Sequence, residues 1–183
     1  MNRIQDHMTC ARRALRSTVV ALALVLAGVT GGCGAYSFSG ATIPSHIETI
    51  AIPIVDDRST SPFTTLDRDL TDLLVDRFVN QTRLSLTTNE ADADALLDVR
   101  IQRYTNEPTT VRGDERASVN RISLNVQVEY VDQVNDEAFV SRSFTTNSDY
   151  DPVEEGIEGE EDAVQRAISN LADDIFTEAT SNW

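Results

Sequence analysis

The chain has 183 residues and carries 15 Arg, no Lys, and 30 Asp and Glu, for a formal net charge of −15. That balance excludes a nucleic-acid binder, which needs basic faces to engage phosphates. It also excludes attachment to anionic lipid by charge alone.

Two origins of the acid-rich, Lys-free composition stay open. One is adaptation to high ionic strength, which screens self-repulsion. The other is a GC-rich genome that prefers Arg codons.

The first residues read as an export signal. Arg3, Arg12, Arg13 and Arg16 precede an uncharged apolar run from Ser17 to Thr30, closed by Gly31-Gly32-Cys33-Gly34. Basic, apolar and small-residue regions in that order make a secretory signal. The apolar run is 14 residues long, short of the roughly 20 that a membrane-spanning helix needs. A cysteine directly after small residues resembles a bacterial lipobox, although Thr30 stands where such signals usually carry Leu. The resemblance implies removal of residues 1–32 and lipidation of Cys33. Cys33 is the only Cys past the signal, so the mature chain forms no internal disulfide. Gly34, in place of Asp, is compatible with delivery to the outer membrane. The expected organisation is a signal peptide over 1–32, a lipidated tether over 33–46 and one domain over 47–183. Removing four Arg and one Asp with the signal leaves 151 residues with 11 basic and 29 acidic side chains. That length suffices for one compact core.

Ile47–Val55 is Ile-rich and predicts a first strand, with Ile50, Ile52 and Ile54 on one face and Thr49, Ala51, Pro53 and Val55 on the other. Pro53 cannot donate to a ladder, so this strand ends there or lies near an edge. After a polar turn over 56–62, Leu66, Leu70, Leu73, Leu74 and Phe78 form the apolar stripe of a helix. Thr64 and Asp67 have capping-box spacing, and Asn80 is a reasonable stop. Arg83–Thr88 predicts a second strand and Ala95–Tyr104 a third, with a turn over 89–94 between them. Residues 105–117, with Pro108 and Gly113, read as a hairpin loop. Ile122, Leu124, Val126, Val128 and Tyr130 alternate strictly with polar residues, the mark of a strand buried on one side. Asn135-Asp136 makes a turn, and Ala138–Thr146 returns as an edge strand. An acidic loop over 150–162 leads into a helix over 162–179, where Val164, Ile168, Leu171 and Ile175 make the apolar face and Ala163, Ala167 and Ala172 allow close packing.

These elements predict an α+β two-layer sandwich. Two amphipathic helices pack on one face of a mainly antiparallel four- to five-stranded sheet.

Candidate chemistry is sparse. His7 and His46 are the only histidines, which leaves the mature chain without a His-based triad or zinc site. The carboxylates of 149–162 lack EF-hand spacing and read as a solvated loop. No catalytic residue, metal or cofactor is expected. The basic side chains Arg100, Arg103, Arg112, Arg116 and Arg121 cluster around the 105–117 loop. Guanidinium forks suit phosphate. The same residues also read as solvated surface paired with Asp114 and Glu115.

Cys33-Gly34-Ala35-Tyr36-Ser37-Phe38-Ser39-Gly40 resembles the opening of the LptE family of lipopolysaccharide-assembly lipoproteins, with Ala35 inserted before the tyrosine. Ile43-Pro44, then Ile47 and Thr49 through Pro53, resemble that family's first strand. The helix after it, the Ala91–Ala95 turn into a strand and the C-terminal helix follow in the family's order. The resemblance implies a non-enzymatic, cofactor-free lipoprotein of the outer membrane that faces the periplasm. It implies partnership with the LptD-type β-barrel, partly as a plug in its lumen, and a role in bringing lipopolysaccharide to the outer leaflet. A plug in a polar lumen needs a polar exterior, which the Ser, Asn, Gln, Thr and Arg of the wet strand faces supply. Whether lipopolysaccharide is itself touched stays open; it carries phosphates, and the five arginines are the candidates for such a contact. A periplasmic binding module and a secretion-channel assembly lipoprotein remain the alternative readings.

Overall fold

The structure is a computed structural model that describes residues 43–111 and 118–181. Cys33, Arg112 and Arg116 lie outside the described residues, as do the signal and the first part of the expected tether. Among the described residues six strands form one mixed sheet: β1 (Thr49–Ala51), β2 (Asp56–Asp57), β3 (Ser85–Leu86), β4 (Ala95–Val111), β5 (Ser118–Asp132) and β6 (Glu137–Tyr150). Helix α1 (Leu66–Val75) continues as a π-helical turn through Asn80, and α2 spans Gly156–Ser181. The sheet order is β3-β1-β4-β5-β6, with β2 continuing beside β4.

The α+β class and the two helices match expectation, but the sheet is mixed and has six strands. β4, β5 and β6 pair antiparallel, whereas β1 pairs parallel to both β3 and β4, and β2 pairs parallel to β4. The cause lies in connection length. A helix carries the chain from β1 to β3, and a crossover of that kind returns a strand in the same direction.

The first expected strand is split. β1 ends at Ala51, and β2 resumes at Asp56. Pro53 interrupts the ladder, and the expected alternation fails with it: Ala51 and Val55 are buried, while Ile54 is 67% exposed. The expected hairpin loop is shorter than predicted, because β4 runs on to Val111. Pro108 is accommodated at a register shift between Pro108 and Thr110. Among the described residues no strand is paired to the outer side of β4 past Ile101, so a missing N–H is tolerated there.

Alternation along β5 is as predicted. Ile122, Leu124, Val126, Val128 and Tyr130 are all fully buried. They face α1 and α2, whose Leu66, Leu70, Leu74, Ile168, Leu171 and Ile175 complete the core. Ala163, Ala167 and Ala172 are also fully buried. Phe78 joins the layers, with ring centroids 5.3 Å from Phe176 on α2 and 5.8 Å from Tyr130 on β5. The Thr64–Asp67 capping box does not form. Thr65 occupies the N-cap of α1 without capping it, and its hydroxyl donates instead to the Asp69 carboxylate at 3.0 Å.

The end of the expected tether is fastened to the domain. His46 pairs with Asp132, the Arg83 guanidinium donates to the Pro44 carbonyl, and Asp94 accepts from the Glu48 and Thr49 amides and the Thr49 hydroxyl, each at 2.9 Å. The chain therefore enters the fold beside the β5–β6 turn, at the opposite end of the β4–β5 ladder from the Val111–Ser118 pair.

Candidate functional site

Both described helices pack on one face of the sheet, and among the described residues the other face is open. Strict alternation places Arg121, Ser123, Asn125 and Gln127 of β5 on that open face. Their register partners on β6 are Asp149, Asn147, Thr145 and Ser143. Each of these four pairs is joined side chain to side chain. Arg121 donates to Asp149 twice, Nε to Oδ1 at 2.6 Å and Nη2 to Oδ2 at 2.7 Å. The Ser123 hydroxyl donates to Asn147. The Asn125 amide donates to the Thr145 hydroxyl at 2.8 Å, and the Ser143 hydroxyl donates to Gln127 at 2.8 Å. The result is a polar rail down the β5–β6 seam, held by cross-strand pairs.

Beside this rail lies a groove of about 680 Å³, lined by Gln102, Arg103, Thr105, Glu107, Ser123, Asn125 and Thr145. The register shift between Ile101 and Arg103 aims Arg103 onto the open face opposite Asn125. Every lining residue is polar. The groove offers hydrogen-bond donors and acceptors to a polar surface and no apolar pocket for a small ligand.

The three described candidate arginines share this face but differ in what they hold. Arg100 donates to Asp98 at 2.6 Å, and Arg121 is engaged by Asp149. The hydrogen bonds of those carboxylates raise both guanidinium pKa values above the ordinary one. Arg121 in turn holds the Asp149 carboxyl below its usual range. Arg103 is exposed and has no ion-pair partner among the described residues. Arg103 and Arg121 sit four register positions apart on adjacent strands, about 13 Å along the sheet.

Sequence reasoning missed the rail. Its residues were legible as the wet positions of alternating strands, but their pairing depends on the β5–β6 register. Nor did it give His46 a role. Among the described residues no His, Cys, Asp and Glu cluster has the make-up of a metal site, and no helix is long and apolar enough to cross a membrane.

The sequence model of the LptE (lipopolysaccharide-assembly) family matches residues 47–179. The chain belongs to the LptE family. A comparison with curated protein sequences returned no match. Among solved structures, this LptE-family chain resembles a neuraminyllactose-binding hemagglutinin homolog from Helicobacter pylori, with TM-score 0.54 and 11% identity over 80% of this chain and 90% of that one. It also resembles protein CT253 from Chlamydia trachomatis, with TM-score 0.50 and 13% identity over 74% and 99% of the two chains. Protein XCC0632 from Xanthomonas campestris gives TM-score 0.50 and 11% identity over 76% and 90%. At such identity these likenesses describe the fold alone.

Proposed function

We propose that this LptE-family chain is an outer-membrane lipoprotein, anchored through Cys33 and facing the periplasm, that partners an LptD-type β-barrel in lipopolysaccharide transport and outer-membrane assembly. Its role is to dock, and no catalytic step is assigned to it. Family membership over residues 47–179 supports this reading. The observation that carries it is the open sheet face, whose polar side chains are already ordered by cross-strand hydrogen bonds. A surface ordered in advance loses little side-chain entropy on docking. The polar lumen of a large barrel is a chemically matched partner for such a face.

The basic side chains Arg100, Arg103, Arg112, Arg116 and Arg121 are proposed contacts for lipopolysaccharide phosphates. Arg103 is the first to test, because it gives up no ion pair to bind. Residues 1–32 act as the removed signal, 33–46 as the tether and 47–183 as the domain.

Affinity purification of the tagged chain from detergent-solubilised outer membranes tests the proposal. A very large β-barrel co-purifies if the reading holds. Recovery of the chain as a free monomer contradicts it.

A further inference from the structure

β6 forms one border of the sheet, and its outer side is unpaired. It is 14 residues long with no proline, and among the described residues its backbone-to-backbone hydrogen bonds go only to β5. The other exposed borders are blunted. β3 is two residues long. The free side of β4 past Ile101 carries Pro108 and two register shifts. Proteins disarm sheet edges by such means, and the outer side of β6 lacks them from Ser141 to Asn147.

A groove runs along this edge. α2 lies beside β6 and runs antiparallel to it, as two contacts show. Arg142 donates to Glu178 at 3.0 Å near one end, and Arg166 reaches the Asp149 carbonyl at 3.1 Å near the other. Between them is a cleft of about 330 Å³, lined by Arg142, Ser143, Phe144, Thr145, Asp174, Thr177 and Glu178. Arg142 lies over the Phe144 ring at 4.9 Å and, with Glu178, closes one side. The Asp174 carboxylate is exposed and has no partner among the described residues. An edge strand flanked by a helix is the geometry in which extended peptides add to a sheet. Main-chain hydrogen bonds supply affinity there, and alternate side chains enter the groove.

We propose that the β6 edge and α2 form a strand-addition site for an extended segment of a partner protein that places a Lys or Arg against Asp174. The cation follows from charge: the groove holds two carboxylates against one arginine, in a chain of net charge −15. This site borders the open face, sharing Ser143 and Thr145 with its rail, and does not depend on the partner proposed for that face.

The probe is the acetylated, amidated heptapeptide Thr-Val-Thr-Arg-Thr-Val-Thr, added to the full chain. Amide hydrogen exchange between Ser141 and Asn147 is read by NMR. Alternate amides in that stretch are expected to slow about tenfold at saturating peptide, and Asp174→Asn to weaken binding about threefold, the scale of a partly exposed ion pair. Thr177→Trp, which fills the cleft from an exposed helix position, is expected to abolish the protection. Equal binding by the Glu-substituted peptide, or by one N-methylated on alternate residues, overturns the proposal. So does protection confined to the open face, or no protection at all. Protection already present without peptide and lost on dilution also overturns it, since the edge then pairs with a second copy of this chain.

Discussion

The His46 imidazole Nε2 lies 2.6 Å from Oδ2 of Asp132, across 86 residues of sequence. Asp132 ends β5 and its side chain is 1% exposed. A carboxylate so placed must be fully hydrogen-bonded, or burial drives it neutral. It is satisfied by His46, by the Asn135 side chain at 2.8 Å, and by the Val134 and Asn135 amides at 2.8 and 3.1 Å. One residue therefore closes the β5–β6 turn and fastens the segment that leads from the expected lipid anchor.

Replacing Asp132 removes the shared acceptor of all these donors together. Asp132→Ala is expected to destabilise the domain by about 2 kcal/mol, the scale of leaving buried donors unpaired. Urea denaturation followed by circular dichroism reads this directly. A shift under about 0.5 kcal/mol, ordinary for a surface site, contradicts the account.

Acid should loosen the same region. Burial pushes the Asp132 carboxyl up, but its hydrogen bonds from His46, Asn135 and Val134 together outweigh burial and hold it below the ordinary value. Asp94 is lowered by the Glu48 amide and then by the Thr49 hydroxyl and amide, and Asp149 by Arg121. Each folded pKa lies below its unfolded value. The stabilisation is therefore complete above the ordinary carboxylate range near about 4 and disappears as pH falls through the depressed values. Thermal melts from pH 6 downward are expected to lose Tm below about pH 4. The triple variant Asp94→Asn, Asp132→Asn, Asp149→Asn should start lower and fall less. Parallel curves for the two proteins contradict this assignment.

Tyr130 gives the opposite expectation. Its phenol is fully buried and has no hydrogen-bond partner among the described residues, and burial raises its pKa. Tyr130→Phe keeps the ring against Phe78 and Phe139 and removes an unsatisfied hydroxyl. It is expected to stabilise the domain by about 1 kcal/mol. A loss of stability in denaturant titration would show that the hydroxyl has a partner after all.

Arg103 separates docking from folding. It is exposed and unpaired among the described residues, so Arg103→Ala should leave stability within about 0.5 kcal/mol of the parent. Binding of purified lipopolysaccharide should weaken more for Arg103→Ala than for Arg100→Ala, whose side chain Asp98 already occupies. Surface plasmon resonance on both variants checks the order, and equal losses contradict it.

Cys33→Ala tests the anchor. Without acyl chains the chain is expected in the soluble periplasmic fraction. Continued recovery with the outer membrane would mean that something other than lipid holds it there.

The strongest sequence signals became structure with little change. Strict alternation from Ile122 to Tyr130 read the buried face of β5 correctly, because one wet face and one dry face force that pattern. The leucine stripe of α1 and the Val164–Ile175 stripe of α2 read equally well. Failures came where tertiary pairing overrides local pattern. Ile52 and Ile54 look like strand core, yet Pro53 breaks the ladder and turns Ile54 outward. Pro108 looks like a loop residue, yet β4 passes through it because no described strand is paired to its outer side there. The parallel pairing of β1 has no residue signature of its own. The candidate face was half legible: its polar residues were visible, but the register that pairs Arg121 with Asp149 belongs to the folded sheet.

The central claim, that the open sheet face meets a β-barrel, is tested most directly by a photo-crosslinking residue at Ser123, with Glu161 on the exposed side of α2 as the comparison site. Irradiation in intact cells is expected to join the Ser123 variant to a very large outer-membrane barrel in preference to the Glu161 variant. A barrel adduct from Glu161 with none from Ser123 would place the contact on the helical layer and contradict the account.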